Sequence, residues 1–214
     1  MSKALVCLPT YNEQQSIALM IDQIKALGLD LVITDAGSTD GTIEIAKEKG
    51  VVVLFRERPG KGSGMQKALQ YAHQQGYETV LFLDCDETYP VGDIPKLLAY
   101  MGQYQMVVGA RSQKQVAFIN SLGNHGFNFL INLLFWGRLK DINSGMRALD
   151  VDTYLPLITA NNFDVETQIS CLTLKHRIKY LEIPINYSER NGQSKVRYSD
   201  GFSIVWRILR ERFR

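Results

Sequence analysis

Residues 79–86 have the sequence TVLFLDCD, an uncharged apolar run that ends in the acidic triplet Asp84-Cys85-Asp86. The run is rich in β-favouring residues and predicts a strand buried within a sheet. The two carboxylates then lie where the chain leaves the sheet, at a spacing that lets both reach one hard cation. Oxygen ligands favour Mg²⁺ or Mn²⁺, which proteins usually hold through one or two carboxylates and substrate phosphates. Acidic residues are also common in plain turns, so the triplet alone leaves both interpretations open.

Apolar runs with strand character alternate with segments of helical spacing through the first half of the chain. Strands are predicted at residues 4–8, 31–34, 51–55, 79–83 and 106–109, and helices at residues 16–27, 42–49, 61–75 and 93–101. This alternation predicts right-handed βαβ units, and therefore an α/β fold with a mostly parallel, Rossmann-like central sheet. In such a sheet, ligands bind outside the carboxyl ends of the strands. Four polar loops follow strands at that edge, at residues 9–13, 35–42, 58–64 and 84–90.

The second half of the chain loses this alternation. No repeat, low-complexity tract or linker separates it from the first half, so we expect one domain over residues 1–214. The last helix, at about residues 201–214, is basic and amphipathic. The other predicted features are an apolar stretch at residues 118–136, a polar loop at 141–147, a helix at 167–174, a strand at 179–187 and a basic loop at 190–195.

Composition limits the class of protein. The 214 residues are 45% hydrophobic and 21% charged, and the net charge of +2 is too balanced to indicate a nucleic-acid partner. Cys7, Cys85 and Cys171 are odd in number and scattered, which predicts buried free thiols in a reducing cytosol rather than disulfides or zinc ligands. No window of about 18 uncharged apolar residues is present, so we expect no membrane-spanning helix in the sequence. The apolar stretch near the N-terminus is too short for a signal peptide.

Acidic and aromatic residues in the first two loops suggest a nucleotide site. A metal at Asp84 and Asp86 would have a diphosphate as its natural partner, because it would neutralise the charge that develops on a departing phosphate. Asp35 could accept hydrogen bonds from a base or a ribose, and Tyr11 and Glu13 could lie beside the same base. Helix capping and plain turn formation are the alternative roles of these loops.

Cations beside small residues form a second group of candidates. Exposed arginines usually have no specific role, but a cation beside hydroxyl and backbone donors suits phosphate oxygens. Lys61 opens a Lys-Gly-Ser-Gly segment that resembles a phosphate cradle without the spacing of a P-loop, and helix capping explains it equally well. The other candidates are Arg111, Ser144, Arg147, Arg190, Ser194 and Lys195.

Six motifs follow one another along nearly the whole chain. They are PTYNE at 9–13, DAGSTDGT at 35–42, GKG at 60–62, DCD at 84–86, DINSGMR at 141–147 and RNGQSK at 190–195. In this order they resemble the family-2 glycosyltransferases, specifically the dolichyl-phosphate mannose synthase-like branch of polyprenyl-phosphate glycosyltransferases. The resemblance implies a GT-A three-layer α/β sandwich. It also implies inverting transfer of a sugar from a nucleotide-diphosphate donor such as GDP-mannose or a UDP-hexose.

The resemblance assigns roles to individual positions. Asp84 and Asp86 would hold Mg²⁺ or Mn²⁺ on the donor diphosphate. The residues that would line the nucleoside are Pro9, Tyr11, Glu13 and Asp35, and those that would meet the donor diphosphate or the acceptor phosphate are Arg111, Ser144, Arg147, Arg190 and Lys195. Two positions depart from the family pattern: Ala36 replaces the second Asp of D-D-G-S, and Thr88 stands where some relatives place a metal-binding Gln.

The acceptor decides the mechanism. A lipid phosphate is already ionised near neutral pH, since its second pKa is about 6, and it needs no strong base. A glycan or protein hydroxyl would need one, and Asp141 is then the best candidate. A third hypothesis, motivated by Ala36 and Thr88, is a non-catalytic nucleotide-sugar-binding module. Besides Asp141, the candidate catalytic residues are Asp86, Arg111 and Arg147, which are expected to act on the reacting groups.

A polyprenyl acceptor also implies a membrane surface. We therefore expect a peripheral protein at the cytoplasmic face of a membrane, with the last helix and residues 127–136 as the two candidate contacts. The alternative for both segments is ordinary packing in the protein core.

Overall fold

One mixed sheet organises the protein. A computed structural model describes residues 3–111, 118–188 and 200–214, with the side chains of residues 118–124 and 200 outside that description. Within those residues the strand order is β3-β2-β1-β4-β6-β5-β7, and β6 alone runs antiparallel to its neighbours. The strands are β1 (Ala4–Thr10), β2 (Asp30–Asp35), β3 (Val52–Phe55), β4 (Thr79–Phe82), β5 (Met106–Arg111), β6 (Arg147–Asp150) and β7 (Tyr180–Ile185).

Helices cover both faces of the sheet. They are α1 (Gln14–Ala26), α2 (Thr42–Glu48), α3 (Lys61–Gln74), α4 (Ile94–Leu98), α5 (Phe118–Phe135), α6 (Val151–Tyr154), α7 (Val165–Lys175) and α8 (Asp200–Phe213). A short 3₁₀ turn, Val91–Asp93, precedes α4. None of the helices in the described part of the chain combines the length and the apolar character needed to cross a bilayer.

Alternation along the central strands produces two cores. Leu5 and Cys7 of β1 point to one face of the sheet, where they join the core beneath α3, α7 and α8. Val6 and Leu8 point to the other face and join the core beneath α1 and α4. The protein is therefore a three-layer α/β sandwich with a mostly parallel sheet, as the sequence predicts. The three cysteines are buried free thiols, which confirms that prediction as well.

The sequence did not predict β6. It placed a loop up to Arg147, whereas a strand of four residues begins there and pairs with β4 on one side and β5 on the other. Only Ala148 and Leu149 are apolar in this strand, and charged residues stand at both of its ends. So short a segment has no detectable period, and its conformation is set by the two strands that flank it.

Candidate functional site

Four loops meet at one edge of the sheet, because β1 to β4 run in the same direction. The first two loops are joined by hydrogen bonds. The Asn12 amide donates to Ser38 Oγ (2.8 Å), and Thr39 N–H donates to Asn12 Oδ1 (3.0 Å). The Glu13 amide donates to Thr42 Oγ1 (2.8 Å). Loops 9–13 and 35–42 therefore form a single wall of the candidate site.

Asp35 lies inside this wall and is almost fully buried. Its Oδ1 accepts from the Gly37 and Ser38 amides, each at 2.7 Å, and its Oδ2 accepts from the hydroxyls of Thr10 (2.9 Å) and Ser38 (2.6 Å). A carboxylate offers about four lone-pair sites, and these four bonds fill them. In this conformation Asp35 fixes the shape of the loop, which differs from the direct base or ribose contact expected from the sequence.

The other three nucleoside candidates lie at the same edge. Pro9 belongs to β1, where it is paired with Thr34 of β2, and Tyr11 and Glu13 follow in the loop. Tyr11 leaves 48% of its surface exposed at this edge. Ala36 is exposed nearby, where the family pattern has a carboxylate.

Lys61 joins two carboxylates that are distant in sequence. Its ammonium forms ion pairs with Asp84, just beyond β4, and with Glu166, in the first turn of α7. Lys61 and Glu166 are buried, whereas the Asp84 side chain is 30% exposed. Burial opposes the ammonium charge, but the two carboxylates outweigh it and raise the pKa of Lys61 above its ordinary value. Lys61 is therefore a fixed counter-charge beside the first Asp of the triplet.

The second Asp of the triplet is oriented by Thr88. Asp86 Oδ1 accepts from the Thr88 hydroxyl (2.6 Å) and from the Thr88 amide (3.2 Å). Thr88 is fully buried, so it acts through Asp86 and does not itself face a ligand. Asp84 lies against the backbone of Gly145, whose amide donates to the hydroxyl of Tyr89 (2.7 Å).

The two carboxylates fit a divalent cation that is shared with a substrate. No group of three or more His, Cys, Asp or Glu side chains with metal-site geometry is found within residues 3–111, 118–188 and 200–214. Asp84 and Asp86 supply only oxygen donors, and Asp84 is partly exposed. Mg²⁺ and Mn²⁺ commonly bind through one or two carboxylates with phosphate oxygens completing the shell.

The glycine segment at the start of α3 does not form an open phosphate cradle. Its backbone amides donate to the 160–162 loop, from Gly62 to the Asn162 carbonyl (3.3 Å) and from Ser63 to the Asn161 carbonyl (3.0 Å). A Cβ at Gly60 would stand 2.3 Å from the Asn161 carbonyl oxygen. The segment therefore packs against another loop, which satisfies the first amides of α3 without a side-chain cap.

Arg111 and Asp141 form a two-point ion pair at the end of β5. Arg111 Nε and Nη2 each donate to a different Asp141 oxygen at 2.7 Å, and the Arg111 amide adds a third bond (3.1 Å). The guanidinium carbon lies 5.4 Å from the centre of the Tyr187 ring. Burial opposes the Arg111 charge, yet its electrostatic interactions with Tyr89 and Asp141 and its hydrogen bonds to Asp141 raise its pKa above the ordinary value. Asp141 is thus engaged through both oxygens.

Arg147 and Ser144 lie inside the protein, and their positions argue against the predicted phosphate contacts. Arg147 is 1% exposed, and its guanidinium donates to the backbone carbonyls of Ile142, Ser144 and Glu166. Ser144 is fully buried, and its hydroxyl donates to the Gly109 carbonyl (2.6 Å). Both residues hold the 141–147 loop in place. Arg190, Ser194 and Lys195 lie outside the described residues.

Residues 5–152 match the model of Glycosyl transferase family 2. The chain belongs to this family. Among the relatives of this family 2 chain, a dolichyl-phosphate hexose transferase of Haloferax volcanii is 31% identical and aligns over 98% of the chain and 95% of its own length. Glycosyltransferase AglJ of the same organism is 32% identical over 86% of the chain, which spans 63% of that relative. An undecaprenyl-phosphate mannosyltransferase of Micrococcus luteus is 25% identical over 91% of the chain.

Solved structures agree on the fold. Glucosyl-3-phosphoglycerate synthase of Mycobacterium tuberculosis, in a complex with Mn²⁺, UDP and phosphoglyceric acid, superposes with a TM-score of 0.82. The superposition covers 99% of this chain and 78% of that one at 21% identity. The family 2 chain therefore has the GT-A fold that the sequence motifs implied.

The sequence analysis gave no individual role to three residues of the site. Glu166 completes the Lys61 pair, Tyr89 accepts a hydrogen bond from the 141–147 loop, and Gly145 admits the Asp84 carboxylate. The sequence did indicate Glu166, because an acidic residue on the buried side of a helix usually pairs with a cation. The predicted helix began one residue after it, so this signal was not used.

Proposed function

We propose that the protein is an inverting glycosyltransferase that moves a sugar from a nucleoside-diphosphate donor to a polyprenyl phosphate. We further propose that it works as a peripheral protein at the cytoplasmic face of a membrane, with Mg²⁺ or Mn²⁺ on the donor diphosphate. Membership of family 2 supports the sugar transfer. Similarity to a dolichyl-phosphate hexose transferase and to an undecaprenyl-phosphate mannosyltransferase supports the lipid acceptor.

One observation carries the proposal: the acidic triplet and the Arg111–Asp141 pair are linked by a short series of contacts. Asp84 lies against Gly145, whose amide donates to Tyr89. The Tyr89 ring lies 5.0 Å from the Tyr187 ring, and Tyr187 in turn lies below the Arg111 guanidinium. A carboxylate pair suited to a cation and a cation suited to a phosphate are therefore neighbours, as a reaction between two anionic substrates requires.

On the donor side, the chain binds and orients the diphosphate. Asp84 and Asp86 would hold the divalent cation, which supplies Lewis-acid stabilisation of the leaving nucleoside diphosphate. Thr88 fixes the orientation of Asp86, and Lys61 adds positive charge beside Asp84. Tyr11 provides a partly exposed ring for the base. Lys61 and Thr88 are buried and already contact their carboxylate partners, and such preorganisation lowers the cost of reorganisation during the reaction.

On the acceptor side, Arg111 is positioned for a phosphate oxygen. Asp141 engages Nε and Nη2, and we assign Nη1 to the acceptor phosphate. A phosphate oxygen attacks the anomeric carbon, the bond from that carbon to the donor diphosphate breaks, and the nucleoside diphosphate leaves with the electron pair. Displacement in a single step inverts the anomeric centre. No base is needed, because the attacking oxygen is already ionised.

A hydroxyl acceptor is the second candidate, and it would require Asp141 as the base. A base must reach the proton of the attacking hydroxyl, and both Asp141 oxygens accept hydrogen bonds from Arg111. The geometry favours the phosphate acceptor for this reason.

The decisive experiment compares two acceptors that differ only in the phosphate. The protein is incubated with Mn²⁺ or Mg²⁺ and, in turn, GDP-mannose, UDP-glucose and UDP-GlcNAc, with either a polyprenyl phosphate or the corresponding polyprenol. Mass spectrometry of the lipid fraction should show a glycosylated polyprenyl phosphate with at least one donor and no glycosylated polyprenol. Product from the polyprenol alone would support the hydroxyl acceptor instead.

Matched acidic substitutions test the metal site. Asp86→Asn and excess EDTA should each remove transfer, whereas Asp22→Asn should leave it intact, because Asp22 lies on the surface and pairs only with Lys49 among the contacts described. Full activity of Asp86→Asn would exclude the metal role. Absence of turnover with every donor and both acceptors would favour the nucleotide-sugar-binding module.

A further inference from the structure

The outward face of α8 is apolar and aromatic. Phe202, Trp206 and Phe213 recur at helical spacing, and 84%, 68% and 78% of their surfaces are exposed. The opposite face carries the buried residues Ile208 and Glu211, so it is the face that packs on the protein. A surface helix normally turns a polar side to water, whereas α8 also exposes three aromatic rings on that side.

A second helix also exposes large apolar side chains. α5 packs against α8, and it buries Asn128 and Ile131 while it exposes Phe129, Leu133 and, just after its end, Trp136. Trp136 is 90% exposed and has a φ of 56°, a left-handed conformation that is rare for bulky residues. We call Phe129, Leu133, Trp136, Phe202, Trp206 and Phe213 together the aromatic surface.

Arginines flank the aromatic surface. Helical geometry places Arg210 and Arg214 on one side of the Phe202–Trp206–Phe213 stripe and Arg212 on the other, and all three arginines are exposed. Near the end of α5, Arg138 and Arg177 line a shallow depression together with Trp136. Apolar rings bordered by cations are the pattern of a helix that lies in the headgroup region of an anionic bilayer.

We propose that the aromatic surface docks on a bilayer that contains anionic phospholipids. The rings enter the boundary between headgroups and acyl chains, and the arginines pair with lipid phosphates. Charge favours this occupant over a second copy of the chain, because a two-fold contact through this surface would bring the arginines of both copies together. Large exposed apolar patches on soluble proteins mark interaction sites in general, and here the flanking charges identify the partner.

The same helix that carries part of this surface holds the candidate acceptor site. Asn128 donates to the Lys140 carbonyl and accepts from the Ile142 amide at 3.2 Å, so it fixes the backbone on both sides of Asp141. Phe129, the next residue, faces outward. If the proposed function holds, docking would bring the headgroup layer close to Arg111, and a polyprenyl phosphate could reach the site without leaving the bilayer. The docking itself does not depend on the reaction.

Vesicle flotation tests the proposal directly. The full chain should float with vesicles of phosphatidylcholine and phosphatidylglycerol, and more weakly with phosphatidylcholine alone. Phe202→Ser/Trp206→Ser and Phe129→Ser/Leu133→Ser should each reduce binding by at least about tenfold, given the apolar area that each pair removes. Leu19→Ser/Phe55→Ser is the matched control, because both side chains are about half exposed and lie on other elements. This control should bind as the unchanged chain does.

Tryptophan fluorescence gives a second readout in the unchanged chain. Both tryptophans of the sequence, Trp136 and Trp206, belong to the aromatic surface. Their emission should shift to shorter wavelength on addition of anionic vesicles, and brominated lipids should quench it. Arg210→Glu/Arg212→Glu alters only exposed side chains, so it should fold normally and lose the preference for phosphatidylglycerol.

Three results would overturn the proposal. They are equal flotation of the serine variants and the control, no fluorescence change with vesicles, or a dimer that the same serine substitutions convert to monomer without any vesicle binding. Transfer to a short-chain, water-soluble prenyl phosphate without vesicles tests the reaction separately. Transfer to the water-soluble acceptor without flotation would contradict only the docking of the aromatic surface. Flotation without transfer would contradict only the proposed function.

Discussion

Gly145 packs so closely against the Asp84 carboxylate that a side chain at position 145 would have no room. A Cβ at Gly145 would stand 2.0 Å from Asp84 Oδ2, and the three atoms nearest to it all belong to the Asp84 carboxyl group. The φ of Gly145 is not in the left-handed region, so close approach and not backbone strain requires glycine here. The 141–147 loop thereby bounds the space in which Asp84 can act.

Gly145→Ala should displace the Asp84 carboxylate. We expect a loss of about 1–3 kcal/mol in the free energy of unfolding, as for other overpacked sites. We also expect a roughly 10- to 100-fold weaker affinity for Mn²⁺ in the presence of a nucleoside diphosphate. Gly92→Ala is the control, since a Cβ there meets nothing within 4 Å. Urea unfolding and Mn²⁺ titration measure the two effects, and equal Mn²⁺ affinity in both variants would remove Asp84 from the metal site.

Lys61 and Glu166 should behave as a coupled pair in stability measurements. Lys61→Met leaves the buried Glu166 carboxylate without its cation, and breaking a buried ion pair in this way typically costs about 3–5 kcal/mol. Adding Glu166→Gln removes the stranded charge, so the double variant should be more stable than Lys61→Met alone. A double-mutant cycle of urea unfolding energies gives the coupling. Strictly additive losses would show that the two side chains do not interact in solution.

Arg147→Met should reduce stability and leave donor binding intact. The change removes the donor that serves the carbonyls of Ile142, Ser144 and Glu166, and a buried acceptor without a partner costs about 1–3 kcal/mol. Arg138→Met, at an exposed position, should have little effect on the melting temperature. Nucleoside-diphosphate affinity is measured well below the melting temperature. Unchanged stability with lost affinity would restore the phosphate role first expected for Arg147.

All three thiols should resist labelling in the folded protein. Burial raises the pKa of Cys7 and of Cys171 to about 12, and it raises the pKa of Cys85 as well. Little thiolate therefore exists near pH 8, and the thiolate is the reactive form. Iodoacetamide followed by mass spectrometry should modify three cysteines in urea and none without it. Rapid labelling of any native cysteine would contradict this burial.

The same pKa changes give a direction for stability at high pH. Folding raises the thiol pKa from its ordinary value of about 8.5. The neutral thiols therefore make their full contribution to the free energy of unfolding below about pH 8.5. It is lost progressively as the pH rises towards 12. Replacing Cys7 by Ala should make unfolding less dependent on pH between these limits, as urea titrations at several pH values would measure.

Local patterns predicted the parallel half of the fold and the positions of its loops. The hydrophobic periods of strands and helices can be recognised in short stretches of sequence. Turn residues such as those at 35–42 likewise indicate where a strand ends, at the carboxyl edge of the sheet. The partners of the loop residues were not predictable in this way. Glu166 reaches Lys61 only because α7 packs beside the start of α3, and nothing near Lys61 in the sequence indicates it. Arg147 and Arg111 both lie within three residues of a Gly and a Ser in the sequence, and only tertiary packing directs the Arg147 guanidinium to backbone carbonyls.

The reversed strand β6 has a consequence for how this protein can diversify. Arg147 at its start is paired with Val108 of β5, so the chain leaves the sheet and re-enters it on adjacent strands. The intervening segment includes α5 and Asp141, whereas the donor loops follow β1 to β4. Insertions whose two ends lie close together are readily exchanged. The proposed acceptor side, with Asp141 and α5, can therefore be replaced as one cassette, provided that glycine is kept at position 145, where the segment meets Asp84 of the donor side.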